Sequence, residues 1–297
     1  MSLVKIDHLT KKFAENKGIF DISFDIREGE VFGFLGPNGA GKTTTIRHLL
    51  GFTQPQSGKS TILNMDCWGQ SKEIQKQLGY LPAEIAFPSN MTGTKLIRHI
   101  ADMRGLRNMG KAEKLIASFQ LDPSAPIKRM SKGMKQKVGI VCAFMHDPKV
   151  IILDEPTTGL DPLMQSVFVE LIQQEKQSGK SILMSSHLFE EIEGTCDRIG
   201  IIKQGKIMSI MDSKSLRQLD KTTYKIEFLY LQDFVTFQKE GFKLSQTRNE
   251  DLQVTIELED SQINELLRVL SKLGVKSIRE SKSSLEEHFM GFYKGEE

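Results

Sequence analysis

Eight residues, GPNGAGKT at positions 36–43, restrict the fold of this chain more than any other segment, because they match the pattern G-x-x-x-x-G-K-[S/T] at every fixed position. The apolar residues 30–35 precede them with the character of a strand, and residues 44–50 follow with the character of a helix. A glycine-rich turn between a strand and a helix directs backbone N–H groups toward an anion. The segment therefore predicts a phosphate-binding loop in an α/β fold.

The side chains of this loop indicate a nucleotide and a metal. Lys42 supplies a positive charge toward the β and γ phosphates, and the Thr43 hydroxyl is a ligand for Mg²⁺. We expect ATP and Mg²⁺ as the ligands. The residues expected around the phosphates are Gly36, Pro37, Asn38, Gly39, Ala40, Gly41, Lys42, Thr43 and Thr44.

Two acids follow the apolar run VIIL at 150–153. Open α/β sheets bind ligands at the carboxyl ends of their strands, where Asp154 and Glu155 are expected to lie. Asp154 can hold Mg²⁺ directly or through water, and Glu155 can polarise an attacking water. Acids after a strand are also common at surfaces, but the phosphate-binding loop upstream favours catalysis.

The hydrophobic pattern places these motifs in a phosphate-loop NTPase core. Residues 3–9 and 19–26 have the pattern of two antiparallel strands before the loop, and residues 84–147 have that of a helical insertion. Strands and helices alternate beyond residue 150, which predicts a parallel sheet. We expect this nucleotide-binding domain to occupy residues 1–219.

Beyond about residue 220 the composition becomes acidic and the pattern changes. Candidate strands and helices follow the order β-α-β-β-α-β, which predicts a small ferredoxin-like α+β domain over residues 220–297. Its candidate elements are 223–228, 231–240, 242–247, 252–258, 262–273 and 275–279, followed by a helix at 284–293. Fold alone does not give its role, so dimerisation or regulation, simple packing and ligand sensing all stay open.

Composition restricts the class of protein. The 297 residues suit two domains, and 39% hydrophobic with 26% charged residues is typical of globular proteins. We find no signal peptide and no apolar run near the roughly 20 residues of a membrane helix, so we expect a cytosolic protein. A net charge of +2 does not indicate a nucleic-acid surface. We interpret Trp68 and the three cysteines, Cys67, Cys142 and Cys196, as packing residues. We expect the cysteines to be reduced thiols.

Five motifs in order make residues 1–215 resemble the ATP-binding subunit of an ATP-binding cassette (ABC) transporter. Besides the phosphate-binding loop and VIILDE, they are RMSKGMKQK at 129–137, PTTGLDP at 156–162 and SSHLFEEIE at 185–193. The resemblance implies that His187 senses the γ-phosphate, that Phe13 stacks on adenine and that Asp161 lies at a subunit interface. It also implies that Ser131 and Gly133 cap the nucleotide held by a second subunit.

The physical properties of Ser131 suit that role. Its hydroxyl and the free N–H groups of the helix that it begins, including that of Gly133, form a site for an anion. A helix cap is the simpler interpretation of Ser131, and the two roles can coexist.

The resemblance further implies a homodimer or heterodimer that binds two ATP and drives a separate integral membrane permease at the cytoplasmic face of the membrane. The MSKGM form and the C-terminal domain resemble single-cassette exporters of drugs or peptides. One alternative is a soluble cassette protein acting on ribosomes or nucleic acid, but such proteins usually carry two cassettes or a long coiled coil. The other is a nucleotide-binding regulator without turnover, which Glu155 and His187 disfavour.

Two positions depart from the family pattern. The signature usually reads LSGGQ, whereas this chain has MSKGM at 130–134, with Lys132 in place of a glycine. Where the family generally has a glutamine that ligates Mg²⁺ and senses the membrane subunit, this chain has Ala83 followed by Glu84. We expect these two residues to form the coupling surface, with Glu84 either replacing the glutamine or contacting the permease alone.

Overall fold

The computed structural model describes residues 1–213, 222–258 and 262–282. Residues 1–213 form one compact unit, and the described residues from 222 onward belong to a second. The boundary predicted between residues 219 and 220, and the helix predicted at 284–293, lie outside the described residues. Among the helices of the described ranges, none combines the length and apolar character that a membrane-spanning segment requires.

The first unit begins with a twisted antiparallel sheet. Its strands are β1 (Ser2–Ala14), β2 (Lys17–Arg27), β4 (Ser57–Ile62) and β5 (Met65–Asp66), in the order β2-β1-β4-β5. The first two were predicted from their alternating apolar residues. Strands β4 and β5 were not, because β4 buries few residues and β5 has two residues in total.

A six-stranded sheet forms the centre of this unit. Its strands are β3 (Val31–Leu35), β6 (Leu78–Leu81), β7 (Val150–Asp154), β8 (Ser181–Ser186), β9 (Arg198–Lys203) and β10 (Lys206–Asp212). They lie in the order β10-β9-β3-β8-β7-β6, and all neighbours pair in parallel except the antiparallel pair of β10 with β9. Because β3, β7 and β8 are neighbours, their carboxyl ends bring three distant segments to one edge of the sheet.

Seven α-helices of the described residues surround these sheets. They are α1 (Lys42–Leu49), α2 (Ser71–Gln77), α3 (Gly93–Met103), α4 (Gly110–Ser118), α5 (Lys132–Phe144), α6 (Pro162–Gln177) and α7 (Phe189–Glu193), with a 3₁₀ turn at Ile127–Arg129. Helices α3 to α5 are the predicted insertion. Side chains of Thr92, Ser131 and Asp161 cap the first turns of α3, α5 and α6, which explains where these helices begin.

The described residues of the second unit form an antiparallel sheet and two helices. Its elements are β11 (Thr222–Phe228), α8 (Leu231–Phe237), β12 (Lys243–Arg248), β13 (Gln253–Leu258), α9 (Ile263–Leu270) and β14 (Val275–Lys282). The strand order β12-β13-β11-β14 is that of the predicted ferredoxin-like arrangement. Phe228, Phe234 and Phe237 pack in its own hydrophobic core.

Two packing expectations have different outcomes. The three cysteines are free and buried, as predicted. The interpretation of Trp68 as a packing residue is wrong, because 46% of this residue is exposed. Trp68 follows β5, where the Asp66 carboxylate accepts hydrogen bonds from the backbone N–H groups of Trp68 and Gly69, so the local turn rather than the core fixes its position.

Candidate active site

The phosphate-binding loop lies between β3 and α1, as its sequence predicted. The N–H of Gly36 donates to the carbonyl oxygen of Ser186 at 3.2 Å, which fixes the start of the loop against the end of β8. Gly41 has φ +113°, and a Cβ there would lie 2.9 Å from the Cγ2 of Ile19. Glycine at this position therefore lets the chain enter α1 with its N–H groups facing the concave side of the loop.

Lys42 folds back over this loop and is nearly buried, with 5% of the residue exposed. Its Nζ donates to the carbonyl oxygens of Gly36 at 2.6 Å and Pro37 at 3.2 Å. The same Nζ lies 3.2 Å from Oε1 of Glu155. The positive charge is thus held at the centre of the site, where the predicted phosphates would bind.

Oxygen ligands suited to a magnesium ion come together beside the loop. The Thr43 hydroxyl donates to Oδ2 of Asp154 at 2.8 Å, and the Ser185 hydroxyl donates to Oδ1 at 2.5 Å. Asp154 is 1% exposed. A hydroxyl and an oriented carboxylate are hard oxygen ligands that fit Mg²⁺ at a nucleotide site.

Glu155 has an unusual backbone and two charged neighbours. Its φ is +51°, in the left-handed region that residues other than glycine seldom adopt, and its N–H donates to the carbonyl and hydroxyl oxygens of Ser185. His187 Nδ1 lies 2.7 Å from Oε2. Because the carboxylate accepts and does not donate, Nδ1 carries the proton in this contact. Oε1 accepts no hydrogen bond from the residues that the structure describes, although Lys42 lies nearby.

Ser131 and Gly133 lie apart from this cluster, at the beginning of α5. The exposed Ser131 caps the helix, since its hydroxyl accepts the N–H of Met134 at 3.2 Å. A Cβ on Gly133 would lie 2.5 Å from the carbonyl oxygen of Gly159, so this helix start packs closely on the loop after Glu155. In the described part of the chain, no hydrogen bond or ion pair joins Ser131 to the phosphate-binding loop.

The remaining predicted site residues lie at the surface. Phe13 lies on β1 with 62% of the residue exposed, so it is not part of the hydrophobic core. Asp161 is exposed and accepts the N–H of Met164 at 3.0 Å. Ala83 is half-buried and Glu84 exposed in the loop after β6. The described residues contain no group of three or more His, Cys, Asp or Glu side chains able to hold a metal.

The sequence did not predict two polar residues, Ser185 and Gln136, that contact the segment around Asp154 and Glu155. Ser185 bonds both Asp154 and Glu155, and the signal for it was a pair of serines at the carboxyl end of an apolar strand. Gln136 is 2% exposed and donates to the carbonyl oxygen of Pro156 at 2.7 Å, joining α5 to the segment after Glu155. A buried polar residue on the apolar face of a helix was the corresponding sequence signal.

Comparison with known proteins identifies the family. The pattern of the family described as ABC transporter matches residues 19–158. The uncharacterized ABC transporter ATP-binding protein YhcH of Bacillus subtilis (strain 168) is 32% identical, over 97% of this chain and 95% of its own length. The bacitracin transport ATP-binding protein BcrA of Bacillus licheniformis is 30% identical, over 97% of this chain and 96% of its own length.

A solved structure of the ATP binding subunit of an ABC transporter has the same fold. It superposes with a TM-score of 0.67 at 30% sequence identity, covering 73% of this chain and 93% of that one. These comparisons give no support to the alternative of a ribosome-directed cassette protein. The predicted phosphate-loop fold is confirmed, and the chain belongs to the ATP-binding subunits of ABC transporters, an ATPase family.

Proposed function

We propose that this chain binds MgATP in the loop at 36–44 and hydrolyses it with Glu155 and His187, within a dimer that drives a membrane permease. The observation that carries this proposal is the convergence of three residues: Lys42 and His187 both contact the carboxylate of Glu155, at 3.2 Å and 2.7 Å. Three sequence segments meet there, so the arrangement has the parts that phosphoryl transfer to water requires.

The contacts assign a task to each side chain. His187 donates from Nδ1 to Oε2 of Glu155 and so orients the carboxylate, which leaves Oε1 to accept a proton from the attacking water. Lys42 holds Oε1 in the arrangement described here, and the γ-phosphate is a competing acceptor for its Nζ. Nucleotide binding would therefore draw Lys42 away from Oε1 of Glu155, the proposed general base. Mg²⁺, held by Thr43 and Asp154, would neutralise charge on the phosphate oxygens.

A second copy or a related subunit would complete each site. Ser131 and Asp161 are exposed, and within the described residues neither forms a hydrogen bond with the phosphate-binding loop, which suits contact with a partner. In a head-to-tail homodimer or heterodimer, Ser131 and Gly133 would cap ATP held by the partner's loop. Phe13 offers an exposed aromatic face on which adenine would stack.

The transport role follows from the relatives. BcrA is named for bacitracin transport, and its similarity extends over 97% of this chain, which favours a drug or peptide exporter. We place the subunit at the cytoplasmic face of the membrane, where Ala83 and Glu84 would contact the permease. Residues 1–219 would form the nucleotide-binding domain, and residues 220–297 an accessory domain. No nucleic-acid partner is proposed.

Two substitutions test the chemistry on the purified subunit. Glu155→Gln removes the base and keeps the shape, so ATP binding should persist while hydrolysis falls by at least about 10²-fold. Lys42→Ala should weaken ATP binding itself. The control is Glu170→Gln, at an exposed position of α6, which should change neither property. Near-normal turnover of Glu155→Gln, or unchanged ATP affinity of Lys42→Ala, would contradict the assignment.

A further inference from the structure

Glu191 on α7 joins two segments of the active site. One oxygen of its carboxylate, Oε1, accepts the hydroxyl of Thr157, and the other, Oε2, accepts the hydroxyl of Ser186. Both hydroxyl-bearing residues are buried, Thr157 at 5% exposure and Ser186 at 0%. Hydrogen bonds to an ionised carboxylate are stronger than those between neutral groups, and burial protects them from exchange with water.

The hydrogen bond between Glu191 and Ser186 lies next to the turn that carries His187. The Ser186 hydroxyl oxygen also accepts the N–H of Leu188 at 3.0 Å, which closes a tight turn around His187. The carbonyl oxygen of Ser186 accepts the N–H of Gly36, the first glycine of the phosphate-binding loop. Glu191 therefore contacts the turn that presents the His187 imidazole to the carboxylate of Glu155.

The Thr157 side controls the segment that carries Glu155. Thr157 follows Glu155 by two residues, and the N–H of Thr158 donates to the carbonyl oxygen of Glu155 at 3.3 Å. The intervening Pro156 accepts the side chain of Gln136 from α5. Glu191 thus contacts the same short segment that α5 contacts.

We propose that Glu191 is a positioning residue for hydrolysis: it sets the spacing between the His187 turn and the Glu155 segment, so that His187 Nδ1–H stays on Oε2 of Glu155. The proposal rests on the proposed function, because it concerns the hydrolytic step. A carboxylate is required since it offers an acceptor to each hydroxyl. In Glu191→Gln, the side-chain amide nitrogen would face the hydroxyl of either Thr157 or Ser186. Because an amide nitrogen does not accept hydrogen bonds, that hydroxyl would lose its acceptor.

The test compares Glu191→Gln with Glu190→Gln, an exposed glutamate on the same helix. Misplacement of catalytic groups by about 1 Å can cost about 10²-fold in rate, so we expect kcat of Glu191→Gln to fall by about 10- to 100-fold. KM for MgATP and the ATP dissociation constant should stay within about threefold of the parent, because binding to the phosphate-binding loop is not affected. Glu190→Gln should match the parent.

Double substitutions distinguish positioning from general stabilisation. If Glu191 acts through His187, adding Glu191→Gln to His187→Ala should lower kcat no further. Thr157→Val should reproduce much of the loss, and Thr157→Ser, which keeps the hydroxyl, should recover it. Should Glu191→Gln fail to fold, Thr157→Val, which removes one of the two bonds, decides the question.

Three results would overturn the positioning role: a kcat of Glu191→Gln within twofold of the parent, full additivity with His187→Ala, or a parallel loss of ATP binding and thermal stability. Failure of the proposed function would give different experimental results. In that case the parent subunit itself would not hydrolyse MgATP, or Glu155→Gln would turn over like the parent.

Discussion

Because Gly133 has no side chain, the start of α5 can pack closely against the loop that contains Gly159. An ideal Cβ on this residue would lie 2.5 Å from the carbonyl oxygen of Gly159, a separation that a real Cβ does not tolerate. Gly159 has φ +83°, so its own conformation also favours glycine. The resemblance implied a phosphate contact for Gly133, and the structure adds a packing requirement within its own chain.

We predict that Gly133→Ala destabilises the protein. The added methyl group must push the helix start away from the Gly159 loop, and overpacking of this kind typically costs about 1–3 kcal/mol. Urea unfolding would measure this free energy. Gly194→Ala is the matched control, since a Cβ there would meet no atom within 4 Å. Equal stability of the two variants would show that the helix start shifts freely and that packing does not require Gly133.

At the scale of elements, the helical insertion contacts the central sheet through half-buried polar side chains. The guanidinium of Arg104, directly after α3, donates to the carbonyl oxygens of Gln75 at 3.1 Å and Leu78 at 3.3 Å. His146, just after α5, has Nε2 at 3.1 Å from the same Leu78 oxygen. Because Arg104 and His146 both contact the first residue of β6, these contacts attach the ends of α3 and α5 to the central sheet.

This attachment predicts a loss of stability in mild acid. Burial, and then the charge of Arg104, lower the pKa of His146 to about 4. Between the usual pKa of about 6.5 and this value the unfolded chain binds a proton that the folded chain does not, so stability falls as pH falls. Allowing for the exposed part of the ring, we expect His146 to contribute about 1 kcal/mol of this loss between about pH 7 and pH 5.

The measurement is the free energy of unfolding in urea at both pH values. His146→Gln should lose less stability on acidification than the parent, because the titrating group is absent. His99→Gln, at an exposed position of α3, should keep the parent's pH dependence. If the parent and His146→Gln respond alike to acid, the neutral buried imidazole is not responsible.

At the scale of the whole molecule, Lys42 and Ser131, which the proposed function assigns to the same nucleotide, differ in their surroundings within the first unit. Lys42 is buried at the sheet edge, whereas Ser131 is exposed at the start of α5, with no bond to that loop within the described residues. Under the proposed function, two chains would supply these two residues to each site. This arrangement predicts that ATPase activity depends on assembly.

A mixing experiment tests this prediction. Lys42→Ala and Ser131→Arg should each be inactive alone, since each homodimer has two defective sites. An equimolar mixture should regain activity, at most about a quarter of the parent's, because half of the dimers would be mixed and each would contain one intact site. The parent's rate should also rise faster than linearly with dilute protein concentration. A strictly linear rate and an inactive mixture would together exclude a shared site.

The sequence by itself determined the features that depend on contiguous residues. The loop at 36–43, the two acids at the end of the apolar run 150–153 and the cap at Ser131 were all predicted, because spacing and local hydrogen bonding specify them. The alternation of strands and helices was likewise sufficient to predict the α/β core, its insertion and the β-α-β-β-α-β order of the second unit.

The tertiary structure alone decided which distant residues meet. Strands β3, β7 and β8 pair side by side, and this brings Lys42, Glu155 and His187 into contact although many residues separate them in the chain. The same strand pairing brings the Ser185 hydroxyl to Asp154. The hydrogen bond between Glu191 and Thr157 depends on how α7 packs against the segment after Glu155. Strand neighbours are set by nonlocal burial of apolar surface, and no local pattern in one sequence specifies that choice.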